Sequence, residues 1–305
     1  MAQSANHLIQ QTLATLGEVI LGKEEQLKLS LACLLAKGHL LIEDLPGMGK
    51  TTLSHALGKV LGLSYNRVQF TSDILPADIL GVSVYEKEQF VFHPGPVFSQ
   101  LVLADEINRA TPKAQSALLE AMEERQVTIE GQTRPLPKPF FVIATQNPVS
   151  QSGTFPLPES QLDRFLMRIS LGYPDPQAEM ELLNGQDRRA MADQLQQVMS
   201  NDQLLTLQQQ VSQVHASSSL LEYVQRILQF TRYEAGYSYG LSPRGALALL
   251  QAAKAWALVH DREHVIPEDV QAVLPAVVDH RLADAAQQSA HGVSKQILSK
   301  VAVLA

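Results

Sequence analysis

The 305-residue sequence is 45% hydrophobic and carries a net charge of −7, so it can bury a real core and has room for two domains of about 100–200 residues. The acidic balance argues against duplex DNA or an anionic membrane as the main partner, because phosphate binding is dominated by Lys and Arg. One cysteine, Cys33, allows no internal disulfide, no leader pattern opens the chain, and no apolar run nears the ~18 residues of a membrane span, so a cytoplasmic protein is expected.

In chain order, residues 5–20 place Leu8, Ile9, Leu13, Leu16, Val19 and Ile20 at helical spacing, with a break at Leu21 and Gly22. A second helix is expected over 24–36, where Cys33 lies in an apolar run and should be buried. Residues 40–42 form an apolar strand, residues 43–49 a Gly/Pro loop, and a helix is expected over 53–61. Short strands follow at 67–70, 82–85 and 90–92, the last two reading as a hairpin around Glu86, Lys87 and Glu88. The continuously apolar run at 101–104 suits a strand buried on both faces of a parallel sheet. A helix over 111–125 should start with Thr111 as cap and Pro112 in the first turn. A second hairpin, 127–129 with 133–136 around Gly131, leads to the strand 140–144. Near Gly172 to Pro176 the strand pattern stops, which sets a boundary near 174 between an α/β domain (1–174) and an all-α domain (175–305). Beyond it, Leu220, Leu221, Val224, Ile227 and Leu228 form one helical stripe, and Leu247, Leu249, Leu250, Ala253 and Trp256 form another. The Gln-rich segment 194–213 is expected to be an exposed helix.

The chemistry concentrates at strand ends. Pro46, Gly47, Met48, Gly49, Lys50, Thr51 and Thr52 follow the first strand and end in Gly-Lys-Thr, the part of a phosphate-binding loop that touches the nucleotide. Such a loop turns successive backbone N–H groups into one concavity, where side chains would block an anion. Lys50 would meet the β- and γ-phosphates of ATP and Thr51 would ligate Mg²⁺. Asp44 stands where the full pattern has its first glycine. Asp105 and Glu106 end the 101–104 strand, Asp105 suited to the magnesium shell and Glu106 to the attacking water. Gln146 and Asn147 end the next strand, where the Asn147 amide can hold water or sense the γ-phosphate, or else belong to a turn with Pro148. Arg164, between the apolar anchors Leu162 and Phe165, is a candidate arginine finger, with Arg168 as its rival. Ser242 and Pro243 start a helix whose first turn carries Arg244 against the dipole, so an anion should face it, the γ-phosphate among the candidates.

Together these motifs resemble the AAA+ superfamily, and their wording resembles its MoxR family over nearly the whole chain: residues 43–51, 105–110, 144–148, 161–165 and 241–245. The resemblance implies an AAA+ P-loop NTPase domain, a parallel sheet between helices, with a C-terminal all-α lid domain. It assigns Lys50 and Thr51 to Walker A, Asp105 and Glu106 to Walker B, Asn147 to sensor 1, Arg164 to the finger and Arg244 to sensor 2. It also implies that Val19, Ile20, Leu21 and Gly22 line the adenine pocket and that both hairpins face a central pore. Asp44 is compatible with the family pattern. A homo-oligomeric, hexameric ring is implied, with ATP between the two domains of a subunit and Arg164 of the next completing the site. Its work would be chaperone-like remodelling of a protein client, by analogy one with a von Willebrand factor A domain.

Three other functions compete on the residues alone: a nucleic-acid motor or loader, a small-molecule kinase and a nucleotide-gated scaffold. The acidic balance and the lack of a basic aromatic tract oppose the first. The helical C-terminal part with Arg244, and Arg164, favour a ring over a kinase. An intact Glu106 opposes the scaffold.

Overall fold

The computed structural model describes residues 4–147, 153–185, 187–234, 236–237, 239–282 and 292–303. Pro148, expected in a turn with Asn147, lies outside them. Ser4 caps α1 (Ala5–Gly17) by accepting the His7 amide, and α2 (Glu24–Leu35) follows, buried along most of its length. Cys33 is fully buried, and burial pushes its thiol well above the ordinary range. The strand β1 (Leu40–Glu43) delivers the chain to the glycine loop. Helix α3 (Lys50–Val60) starts three residues earlier than the apolar pattern suggests, because Gly49, left-handed at φ 86°, turns the loop directly into it.

The chain then forms β2 (Tyr65–Gln69), the short helix α4 (Pro76–Leu80), and the hairpin β3 (Gly81–Glu86) with β4 (Gln89–Pro94). Next come β5 (Leu101–Asp105), α5 (Pro112–Glu124), the hairpin β6 (Gln126–Ile129) with β7 (Gln132–Pro135), β8 (Phe141–Gln146), α6 (Glu159–Leu162) and β9 (Met167–Ile169). Both hairpins pair antiparallel, as expected. At α5 the expectation holds for Pro112 but not for the cap, since the Thr111 side chain makes no capping bond.

Five strands make one parallel sheet in the order β2-β5-β8-β1-β9. Successive side chains alternate between its faces. Leu40, Ile42, Leu101, Leu103 and Ile143 enter one apolar cluster, while Leu41, Val102, Ala104, Val142 and Ala144 enter the other. The edge strand β9 escapes sequence reading because three residues are too few to show a period, and its pairing with Leu40 to Ile42 defines it.

From Asp175, which caps α7 (Pro176–Leu183), the described chain is helical: α8 (Arg188–Gln194), α9 (Asn201–Gln213), α10 (Ser218–Gln229), α11 (Pro243–Val259), α12 (Pro267–Val278) and α13 (Val293–Lys300). The segment 194–213 departs from expectation. Helix α9 starts only at Asn201 and buries Leu204, Leu207, Gln208 and Val211, and the Gln208 amide donates to the Leu34 carbonyl at 2.8 Å. Leu247 is 70% exposed, off the buried α11 face of Leu249, Ala253 and Trp256. One apolar cluster joins α1 and α2 to α9–α12, with α2 packed directly on α11. No helix among the described residues is long and apolar enough to cross a membrane.

Candidate nucleotide site

Parallel strands present their carboxyl ends together, and ligands bind outside those ends. Here β1, β5 and β8 bring Glu43, Asp105 and Gln146 to one edge, where the glycine loop leaves β1. Gly47 and Gly49 sit at φ 84° and 86°, a conformation that costs a side-chain-bearing residue about 1 kcal/mol or more. Asp44, in place of the pattern's first glycine, anchors this loop. Its carboxylate accepts the Leu171 and Gly172 amides, both at 2.7 Å, and the Ser170 hydroxyl at 3.1 Å. The entrance of the loop is thereby tied to the end of β9.

Lys50 is largely buried, and its ammonium donates to the Asp44 carbonyl at 2.6 Å and to Asn147 Oδ1 at 3.1 Å. Burial draws the Lys50 ammonium below the usual lysine range, while the charges of Asp44, Asp105 and Glu106 oppose that shift. Asn147 Nδ2 in turn donates to Glu106 Oε1 at 3.2 Å, so one amide joins the cation to the acid. Asn108 holds Asn147 in place by donating to its carbonyl at 3.1 Å. The strand tips read from sequence as separate motifs are therefore one hydrogen-bonded group.

Glu106 stands in the left-handed region at φ 58° and ψ 48°. Such strain in a non-glycine residue persists where the surroundings enforce it, commonly at working sites. Three neighbours enforce it here. The Glu106 amide donates to Thr145 Oγ1 at 2.9 Å, Gln69 Nε2 donates to Glu106 Oε2 at 3.0 Å, and Arg109 Nε pairs with the same oxygen at 3.0 Å. Asp105 is held as firmly, by the Thr145 hydroxyl at 2.6 Å and by Arg67 Nε and Nη2 at 3.1 and 2.7 Å. Sequence reading passed over Arg67, Gln69 and Thr145. Arg67 and Gln69 are two apart on β2 and so share a face, but only the β2–β5 pairing aims them at the two acids.

The donor set fits a nucleotide with Mg²⁺. Among the described residues no cluster of three or more His, Cys, Asp or Glu could hold a metal ion. Thr51, on the first turn of α3, and Asp105, whose oxygens are oriented by Arg67 and Thr145, would hold the Mg²⁺. Thr52 follows on the same turn and borders a pocket with Thr51, His55, Arg67 and Arg189. Pro46 and Met48 complete the loop between Asp44 and α3.

Of Ile20, Leu21 and Gly22, the last lies beside the start of α7. Gly22 has φ 64°, a Cβ there would come within 2.6 Å of the Asp175 carboxylate, and the neighbouring Lys23 donates to the Tyr173 carbonyl at 2.6 Å.

Arg164 and Arg244 are not at this edge. They converge on Glu123, near the C-terminal end of α5, with Arg164 Nη2 at 2.9 Å and Arg244 in a short ion pair. Arg244 also approaches Asp163 at 3.8 Å. The anions opposing its helix dipole are thus protein carboxylates. Both arginines line one pocket with Lys37, Gly38 and His39, which precede β1, whereas the glycine loop follows it. A four-residue strand at ~3.3 Å per residue separates the two ends. Arg168, the rival finger, points elsewhere and pairs with Glu43 at 3.4 Å.

The sheet order, the glycine loop after β1 and the acids at the tip of β5 define a P-loop nucleoside triphosphatase of the AAA+ class. The model of the ATPase family associated with various cellular activities matches residues 39–167, and that of the AAA lid domain matches residues 229–301. The chain is 47% identical to YeaC of Bacillus subtilis over 90% of its own length and 87% of that protein. It is 39% identical to Chaperone MoxR1 of Mycobacterium tuberculosis, with 96% and 80% covered, and 33% identical to Protein MoxR of Paracoccus denitrificans, with 88% and 86% covered. A Cytophaga hutchinsonii protein solved as a candidate ATPase superimposes with a TM-score of 0.87 at 37% identity, covering 98% of this chain and 95% of that one. The chain belongs to the MoxR family of AAA+ ATPases.

Proposed function

We propose that the protein is a ring-forming ATPase that converts ATP binding and hydrolysis into remodelling or activation of partner proteins. The observation that carries the reading is the Lys50–Asn147–Glu106 chain beside the loop, set at the opposite end of β1 from Arg164 and Arg244. Phosphates entering the loop would take the Lys50 ammonium from Asp44 and Asn147. Asn147 would then be free to orient the attacking water, and Glu106 would accept its proton. Bound Mg²⁺ would neutralise charge between the β- and γ-phosphates. The last cations would come from a neighbouring copy, because Arg164 and Arg244 lie beyond the far end of the strand that feeds their own loop. Residues 1–174 then serve as the nucleotide-binding domain and 175–305 as the lid.

A protein client suits the first hairpin, along which Val82, Val84, Tyr85 and Phe90 are exposed. Chaperone action, and a von Willebrand factor A domain as the partner, rest on family likeness. The −7 net charge continues to oppose a nucleic-acid motor. Mixing Arg164→Ala with Glu106→Gln subunits tests the shared site, since each variant alone should be inactive and the mixture should regain turnover. Assembled mixtures that stay silent would remove Arg164 from the neighbour's site.

A further inference from the structure

Arg164 lies on a four-residue connector between α6, which ends at Leu162, and β9, which starts at Met167. The connector belongs to no regular element, so its carbonyls must find partners elsewhere. The carbonyls of Asp163, Phe165 and Leu166 all meet one side chain from far along the sequence. Arg281, just past α12, donates from Nε to Asp163 Oδ1 at 2.7 Å, from Nη2 to the Phe165 carbonyl at 2.6 Å, and from Nη1 to the Leu166 carbonyl at 3.1 Å. A longer bond joins Nη2 to the Asp163 carbonyl at 3.4 Å, and Nη1 also reaches the carbonyl of Val277 on α12 itself. Its side chain is only 4% exposed. His280 adds a contact from Nε2 to the Phe165 carbonyl at 3.0 Å.

This wiring differs from ordinary surface pairing. A buried guanidinium with five donors in a fixed fork satisfies several acceptors in one geometry, which a lysine cannot do. The bonds fall on residues 163, 165 and 166 and leave the Arg164 side chain itself untouched. Arg164 keeps one Nη contact, to Glu123 on α5, and its Nε has no partner among the described residues. The backbone is clamped from the C-terminal helices, while the guanidinium is held by the Glu123 carboxylate.

We propose that Arg281 is a positioning residue for Arg164. It fixes the connector from the C-terminal helices, so that the lid of one subunit sets how the finger of that subunit meets the nucleotide of the next. Asp163 is the hinge of this arrangement, taking Arg281 on one oxygen and lying near Arg244 on the other. The proposal rests on the reading of Arg164 as a finger acting in the adjacent site.

The experiment uses the full chain and compares Arg281→Met, Arg281→Lys and Arg164→Ala, each alone and each mixed with Glu106→Gln. Steady-state turnover, affinity for a fluorescent ATP analogue, thermal unfolding and assembly by gel filtration are read on every sample. A misplaced finger should lower kcat roughly 10–100-fold in Arg281→Met, with KM and analogue affinity nearly unchanged. Arg281→Lys, which keeps the charge and loses the fork, should fall between that variant and the parent. Mixed with Glu106→Gln, Arg281→Met should regain turnover as Arg164→Ala does, because its own loop and acids are intact and only the neighbour's site is starved. Rescue of Arg164→Ala without rescue of assembled Arg281→Met would overturn the positioning role and leave the finger standing. Failure of both mixtures would overturn the finger, and the proposal with it. Full turnover in Arg281→Met would also overturn it. Should that variant fail to assemble, Asp163→Asn, which weakens the same bond, carries the mixing test with the same outcomes.

Discussion

Asp44 Oδ2 accepts the Gly172 amide at 2.7 Å, joining the first residue of the glycine loop to the end of the edge strand β9. The same oxygen takes the Leu171 amide at 2.7 Å, and Ser170 adds its hydroxyl at 3.1 Å. Asp44 is buried, so these bonds to a charged acceptor are worth more than neutral ones on a surface.

A glycine at this position would complete the phosphate-loop pattern and should nevertheless be harmful. Asp44→Gly leaves the Leu171 and Gly172 amides without their acceptor, at a cost of about 3 kcal/mol. Thermal or urea unfolding checks the number. Affinity for ATP should fall or hold, and a variant that is both stable and tighter-binding would show that the loop does not depend on this tie.

Asn147 touches Lys50 with its oxygen and Glu106 with its nitrogen, so Asn147→Ala cuts both links at once. Turnover should drop about 100-fold, the scale of losing one placed hydrogen-bond donor, with KM for ATP little changed. A raised KM at constant kcat would instead assign Asn147 to uniform binding. Steady-state kinetics separate the two.

His39 sits buried between the Met122 carbonyl, 3.3 Å from Nε2, and the Val142 amide, which donates to Nδ1 at 3.0 Å. The neutral Nε2–H tautomer satisfies both. Burial, and then the charge of Arg125, lower its pKa from 6.5 to about 4. Between those values the unfolded chain takes a proton that the folded one refuses, so stability is complete above the upper value and declines as pH falls towards the lower. The slope from this group reaches ~1.4 kcal/mol per pH unit. His280, also buried and driven well below the ordinary range, adds in the same direction. Unfolding curves from pH 7 to about 4.5 should be flatter for His39→Gln than for the parent. Parallel slopes would show that His39 does not titrate in this way.

The site was legible from sequence wherever chemistry restricts residue type. Gly47, Gly49, Lys50 and Thr51 belong to a loop with few substitutes, and Asp105 and Glu106 stand together after an unbroken apolar strand. Arg67 and Gln69 were not legible, because an arginine and a glutamine on an exposed edge strand look like solvated positions until the β2–β5 register sets them against those acids. Arg281 was silent for a stronger reason: it contacts Asp163 from 118 residues away, and no local pattern encodes such a distance. The strand β9 was missed because it has three residues, and α9 was misjudged because glutamines such as Gln208 can be buried when a backbone carbonyl receives them.

By itself the sequence determined the α/β class, both hairpins, the helical C-terminal region and the residues at the glycine loop, since these follow from local periodicity and from chemistry that tolerates few residue types. Only the tertiary structure decided which end of the sheet each arginine serves. Arg164 and Arg244 face Glu123 across a pocket before β1, and Lys50 faces Asn147 after it. Direction along a strand is set by how strands pair and which helices cover them, and pairing joins residues far apart in the chain.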